Sequence, residues 1–412
     1  MKNKIILCWM LCLALPGWSA VTLPYIENSP APANFSCFCP EILAKGQPEK
    51  VVPPAELDVR SCDVSSWDFS GYTKDELADV LTFDSKTVLP SKNKLPKGFN
   101  AKKILKNGKN PGLHLHKLHK QGITGKGVSV AILDQNLLTT HQEYAKNLVW
   151  YEENIWWKPA DSSMHGSAVA SILVGKTVGV APQANLFYFA PEFGRSSEDR
   201  YDAAPNARAL RRIAQVNKQL PAEQKIRVVS ISRGFTPDDL DAKEFAVAKK
   251  ALEDDGIAVF TTQDVFTLNR THSRDNPDKA DYCRPAYWLK KEKLPSYAAF
   301  QDVFAPTDFR VVAAPNGNGD YVHYANGGLS WAVPYVAGLY ALGVQVRPGL
   351  TKAEFLQAVA ATNDTRQCTF QGSAVAVVAP ETSVQRPLNR SWALARPSKM
   401  MVSAASALSE RN

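Results

Sequence analysis

From about residue 111 onward, short β-rich runs alternate with helix-like stretches, and that alternation narrows the fold more than any other feature of the sequence. Gly127–Leu133 (GVSVAIL) is a β-rich run ending at Asp134, and Ser167–Val174 is helix-like and apolar. Asn185–Ala190 reads as a strand, Ala203–Lys218 as a helix and Ile226–Ser232 (IRVVSIS) as a strand. Ala242–Leu252 has helical character and leads into a strand over Ile257–Thr262, and another helix starts near Thr351. Strands that alternate with helices pair mostly in parallel, and such a sheet is buried by helices on both faces. The expected class is therefore α/β, a three-layer fold with a mostly parallel sheet covered on both sides. In sheets of this kind active sites gather at the carboxyl ends of strands. Asp134 and Ser232 both stand at such ends.

The first residues belong to a different pattern. MKNK gives a positive start, IILCWMLCLALPGW is almost uninterrupted apolar sequence, and small residues follow at Ser19 and Ala20. This is the layout of a secretory signal peptide, and it is too short for a membrane span. Residues 1–20 are read as that signal, so the mature chain is expected to be exported, secreted or periplasmic, with no stable membrane span. Losing Lys2 and Lys4 takes the net charge from +8 to +6 (8 − 2). That excess comes with no nucleic-acid motif, so no nucleic-acid partner is expected. Five cysteines remain: Cys37, Cys39, Cys62, Cys283 and Cys368. In an exported chain, Cys62 is expected to pair with Cys37 or Cys39, and Cys283 with Cys368, leaving one thiol over.

Residues 21–64 are rich in proline and small residues and predict an extended or loosely folded start. A helix is expected from Thr73, because Thr73 and Glu76 have capping-box spacing and Leu77, Val80 and Leu81 form one stripe. Residues 91–110 (SKNKLPKGFNAKKILKNGKN) hold seven lysines and no acid, which reads as an exposed linker open to proteolytic processing. Residues 21–110 are thus taken as an N-terminal extension or pro-segment, 111–370 as the α/β domain, and 371–412 as a tail of uncertain structure.

Three stretches of the α/β region carry chemistry together: VAILDQN, MHGSAVASILVG and GGLSWAVPYVAG. They supply an acid at a strand end, a histidine before an apolar helix, and a serine at the mouth of another. Ser330 in that place could simply cap its helix. A serine becomes a useful nucleophile when a base takes its proton and a buried carboxylate orients that base. Asp134, His165 and Ser330 offer the three groups in the order Asp, His, Ser, and Ala332 excludes the G-x-S-x-G elbow. Pro334 is expected in the first turn of the serine helix, where proline is tolerated. His114, His116 and His119 do not share one helix face at their spacing, so the segment GLHLHKLHK reads as solvated and no metal site is expected.

These stretches resemble the subtilisin-like serine proteases (subtilases, peptidase family S8) over roughly residues 111–362. GITGKGVSVAILD is similar to the family's approach to its aspartate, HGSAVASILVG to its histidine helix, and VGVAPQANLFYFA to the loop and strand that follow. VVSISRGF resembles the strand that pairs with substrate, and GGLSWAVPYVAGLYAL the serine helix with its proline. The resemblance implies a subtilisin-like fold and an endopeptidase acting on polypeptides through an acyl-enzyme. Asp134 would orient the base, His165 would be general base and acid, and Ser330 the nucleophile. Ser232, Arg233 and Gly234 would form the edge that pairs with extended substrate. No cofactor is required by that chemistry. Family members often bind structural calcium, but no calcium loop is legible here.

Four positions depart from the family pattern. Gln135-Asn136 follows the aspartate where a small hydroxyl residue and glycine are usual. Ala168 replaces a second histidine, and Leu329 replaces the threonine before the nucleophile. Asp264 falls where an asparagine side chain joins the serine N–H in binding the oxyanion, with Asn269 a more distant candidate for that place. An ionised carboxylate only accepts hydrogen bonds. A protonated one could donate, so Asp264 is kept by its aligned position as the expected oxyanion residue, and the alternative reading is a catalytically weak or inactive peptide-binding protein on the same fold.

Overall fold

A computed structural model of the chain describes residues 21–53, 55–154, 161–191, 201–268, 277–279, 303–360, 368–370 and 373–385. Its centre is a six-stranded sheet of β1 (Tyr25–Ile26), β4 (Ser129–Leu133), β5 (Leu148–Asn154), β6 (Asn185–Pro191), β7 (Ile226–Ile231) and β8 (Ala258–Phe260). The strands lie in the order β1-β5-β6-β4-β7-β8, and every neighbouring pair is parallel. All five residues of β4 are buried, because each face of the sheet is covered. Val130 and Ile132 face one core, with α5 (Met164–Val174) and α8 (Leu329–Val346). Ala131 and Leu133 face the other, with α6 (Ala204–Gln219) and α7 (Ala242–Asp254). An apolar run without alternation is what burial on both faces demands. The fold is thus the three-layer α/β class, with strand and helix limits within a few residues of those read from the sequence. Strand β5 adds to the strands expected from the sequence.

Helix α8 is long and apolar enough to cross a membrane by length alone, but fourteen of its eighteen residues are buried within the protein. It lies between the main sheet and a second one ordered β13-β14-β10-β9, formed by β9 (Val265–Leu268), β10 (Val303–Pro306), β13 (Cys368–Phe370) and β14 (Ser373–Val377). Helices α9 (Lys352–Ala360) and α10 (Pro380–Gln385) follow in the same layer. Part of the tail after 371 is therefore ordered structure. Residues 386–412 lie outside the described residues.

The N-terminal region differs from the loose start and bare linker read from its composition. Helix α1 (Pro40–Ala44) is exposed, but α2 (Lys74–Val80) has the expected Thr73–Glu76 capping box. A third sheet, ordered β11-β12-β3-β2, joins β2 (Leu57–Asp58) and β3 (Leu81–Asp84) to β11 (Arg310–Ala313) and β12 (Tyr321–Tyr324). Its β3–β12 pairing is antiparallel, with Phe83 opposite His323. Ahead of these, β1 extends the edge of the main sheet, and Ala33 N–H donates to Pro315 O at 3.0 Å. The lysine-rich stretch contains α3 (Ala101–Gly108), capped by the Asn100 side chain. Leu95, Phe99, Ile104 and Leu105 pack on a separate core of Val59, Trp67, Phe69, Leu77 and Phe83. Gly108 leaves no room for a Cβ, which would meet Val311 Cβ at 2.9 Å. The lysines masked an amphipathic segment: the charges point outward while four apolar side chains hold it down.

Cys37 is joined to Cys62, so of the two partners left open it is the first that pairs. Cys39 keeps its thiol 3.5 Å from Asp58, where burial and that carboxylate push its pKa up to about 11. The Cys283–Cys368 pairing lies outside the described residues.

Candidate active site

Asp134 directly follows β4, at the carboxyl end of the central strand, and is 2% exposed. Its Oδ1 accepts the Gln135 N–H at 2.8 Å and lies 2.6 Å from His165 Nδ1. His165 is the second residue of α5. Ser163 caps that helix by accepting the His165 N–H at 3.1 Å, and the Ser163 hydroxyl donates to Gln135 Oε1. Gly166 is required by close approach: a Cβ there would collide with Gln135 O and reach Asn136 O at 2.8 Å. The departure Gln135-Asn136 is thus built into the seat of the histidine helix. Burial disfavours a charged His165, yet the Asp134 charge and hydrogen bond outweigh it and carry the imidazole pKa above its ordinary value.

Ser330 is the second residue of α8, whose N-cap is Gly328 with no side-chain cap, so the serine does not cap its helix. Its hydroxyl donates to Ser232 O at 3.4 Å, and Ser232 Oγ in turn donates to Ser330 O at 2.9 Å. The second bond has a covalent cause. Pro334 lies in the second turn rather than the first, and it lacks the N–H that Ser330 O would accept in an uninterrupted helix. Ser232, one residue beyond β7, supplies the missing donor. Trp331 lies next, its ring 5.3 Å from that of His165 and 5.4 Å from Tyr324. Three strand-end and helix-start segments therefore converge, with the Ser330 hydroxyl turned to Ser232 rather than to His165.

Asp264 does not take the expected place. Its Oδ2 accepts the N–H and hydroxyl of Thr261, both at 2.8 Å, while Oδ1 meets Lys352 Nζ at 3.0 Å and Lys249 lies 3.6 Å from Oδ2. Burial would raise this carboxyl, but the two ammonium groups and the Thr261 bond hold its pKa below the ordinary value. An ionised carboxylate with both oxygens engaged offers no donor to an oxyanion. Asn269 lies outside the described residues. The loop after β8 meets the Ser232–Gly234 edge instead: Thr262 N–H donates to Arg233 O at 3.4 Å, and Gln263 Nε2 to Phe235 O at 2.9 Å. Arg233 stacks its guanidinium 3.6 Å over the Tyr201 ring. A Cβ on Gly234 would meet Gln263 Cγ at 2.7 Å, so glycine is needed where the two loops touch.

Sequence reasoning overlooked Trp331 and the support behind it. Arg60 donates to the Tyr324 hydroxyl at 2.6 Å, and that hydroxyl contacts Met164 Sδ at 3.6 Å. The N-terminal region thus buttresses the rings beside His165. Only the Pro334 spacing, four residues after Ser330, gave a sequence signal for the Ser232 bond.

Residues 125–286 match the subtilase family model. Subtilisin-like protease 7 of Arthroderma benhamiae is 24% identical over 233 residues, covering 56% of each chain. Subtilisin-like protease 6 of Trichophyton rubrum is 25% identical over 234 residues, covering 55% of each. The match thus spans about half the length of these relatives. The solved structure of the prenylagaramide maturation protease PagA is 18% identical, with a TM-score of 0.45 over 63% of this chain and 91% of that one. The fold class stands on the strand order itself.

Proposed function

We propose that the chain is an exported serine endopeptidase that hydrolyses peptide bonds through Asp134, His165 and Ser330. The observation that carries this reading is the 2.6 Å contact between His165 Nδ1 and the buried Asp134 carboxylate. Asp134 fixes the proton on Nδ1, leaving Nε2 as the acceptor. In the reaction, the Ser330 hydroxyl turns from Ser232 O to His165 Nε2 and gives up its proton. Oγ then bonds to the scissile carbonyl carbon. The imidazolium returns the proton to the leaving amine, and water releases the acyl group by the same steps in reverse. The Ser330 N–H in the first turn of α8 faces the oxyanion, aided by the helix dipole. Ser232, Arg233 and Gly234 would pair with an extended polypeptide once the Ser330 hydroxyl releases Ser232 O and Thr262 releases Arg233 O. Export is supported by the signal-like residues 1–20 and by the Cys37–Cys62 disulfide, which suits an oxidising compartment.

Residues 21–110 act as a built-in extension of the peptidase domain under this proposal, since β1 and β3 belong to sheets completed by later strands. The mature N-terminus, read by mass spectrometry, checks this: a form beginning near residue 111 with the preceding segment gone would refute it. A second reading, a weak or inactive peptide-binding protein, is favoured by the engagement of Asp264 and the turn of the Ser330 hydroxyl away from His165. A fluorophosphonate probe separates the two. Labelling of the wild type that disappears in Ser330→Ala supports the protease. A folded wild type that does not label supports the binding protein.

A further inference from the structure

Sequence spacing argued against a metal on the GLHLHKLHK segment, but the third partner comes from elsewhere in the chain. His114 precedes α4 (Leu115–Lys120), His116 is its second residue, and Asp278 lies 164 residues beyond His114. His116 Nδ1 is 3.1 Å from Asp278 Oδ2, and His114 Nδ1 is 4.0 Å from the same oxygen. All three ligand atoms lie within 4.8 Å of one another. We propose that His114, His116 and Asp278 form a binding site for a divalent transition-metal ion, of which zinc is the best fit.

Four observations support this. The Asp278 side chain is 10% exposed while the two imidazoles remain 50% and 42% exposed, so a fixed carboxylate faces two adjustable rings. The His114 N–H donates to Asp278 Oδ1 at 2.8 Å, which holds the carboxylate with Oδ2 turned to the histidines. Leu113 and His114 are both left-handed, with φ of 52° and 58°. That conformation is uncommon outside glycine and costs of order 1 kcal/mol or more each, yet it brings the His114 backbone and ring to one carboxylate. His119 is occupied elsewhere, its Nε2 2.8 Å from Val180 O, so the ligand set is two imidazoles and one carboxylate. Zinc bonds of about 2.0 Å in a tetrahedron put ligand atoms about 3.3 Å apart. The His116–Asp278 pair already has that spacing, and His114 closes the remainder by about 1 Å through ring rotation. Water completes the tetrahedron. Imidazole ligands select zinc, copper or nickel over calcium and magnesium. The ion would tie the start of the α/β domain to residues 277–279, a structural staple between segments distant in sequence.

The test uses the full exported chain without a histidine tag, stripped with a chelator and titrated with zinc chloride by calorimetry. Cobalt absorption serves as a second readout of tetrahedral geometry. The expected result is one zinc per chain, with affinity reduced at least about 10–100-fold in both His114→Gln/His116→Gln and Asp278→Asn. Circular dichroism checks folding, and the exposed histidine pair keeps the test decisive should Asp278→Asn fail to fold. Zinc that does not bind the folded wild type, or that binds the histidine double variant with unchanged affinity, overturns the proposal. Competition by calcium at equal concentration overturns the assignment to a transition metal.

Discussion

Replacing Asp134 by asparagine removes a charge while leaving a side chain of the same shape. The Asp134 oxygen accepts both the Gln135 N–H at 2.8 Å and the His165 Nδ1–H at 2.6 Å, and an amide oxygen can accept both. The variant therefore isolates the electrostatic contribution. Two unit charges about 4 Å apart at an effective dielectric of about 20 attract by about 4 kcal/mol. The imidazolium formed in the transition state loses that stabilisation, which corresponds to about 10³-fold in rate. Loss of correct tautomer control as well would carry the effect to about 10⁴-fold. The pH profile moves too. In the wild type, burial opposes the charged ring, but Asp134 carries its pKa above 6.5, so kcat/KM falls as pH drops through a value above 6.5. In the variant burial acts unopposed, and the acid limb shifts below 6.5. Stability provides an independent readout. A raised folded-state pKa contributes stability that is fully present below the unfolded value of 6.5 and is lost as pH rises through the folded value. Asp134→Asn should therefore destabilise more under acid than alkaline conditions. The assay is hydrolysis of a chromogenic peptide across about pH 5–9, normalised by fluorophosphonate titration of active sites. A plateau loss below about tenfold, or an acid limb that stays in place, refutes the reasoning.

Asp264→Asn should cost about 1–3 kcal/mol in urea unfolding at neutral pH, because Lys352 and Lys249 lose their partner. Its lowered pKa means that contribution is present above the unfolded value of 3.8 and lost as pH falls through the folded one, so the penalty fades in acid. Turnover per active site should hold; a large fall in kcat with stability intact would restore the oxyanion role. Cys37→Ser/Cys62→Ser opens a cross-link between residues 25 apart. Unfolding should become easier by about 3–4 kcal/mol, measured against the wild type under non-reducing conditions. Phe83→Ala removes a ring that is 1% exposed and 5.3 Å from that of His323, at a cost of about 3–5 kcal/mol. The α/β domain should unfold at correspondingly lower denaturant in the same transition; an unmoved α/β transition would mean that the N-terminal region folds separately.

The sequence by itself determined the layers and the order of the chemical groups. Burial on both faces leaves an uninterrupted apolar strand such as SVAIL, and close helix–strand approach demands the glycine of His165-Gly166, so both are written locally. The capping box at Thr73 is local for the same reason: its two bonds span three residues. Tertiary structure decided whatever depends on groups distant in sequence. Asp264 became an ion-pair residue because α7 and α9 each bring a lysine to it, which no spacing around Asp264 foretells. The lysine-rich stretch became part of the body because its few apolar side chains meet a core assembled from residues 59–83 and its helix meets β11. The Ser330 carbonyl accepts from Ser232 because a proline four residues on removed one backbone donor and β7 ends beside the vacancy. Local periodicity records what each segment buries. Partners for charges, orphaned carbonyls and nucleophiles are fixed only when separate segments arrive at one place.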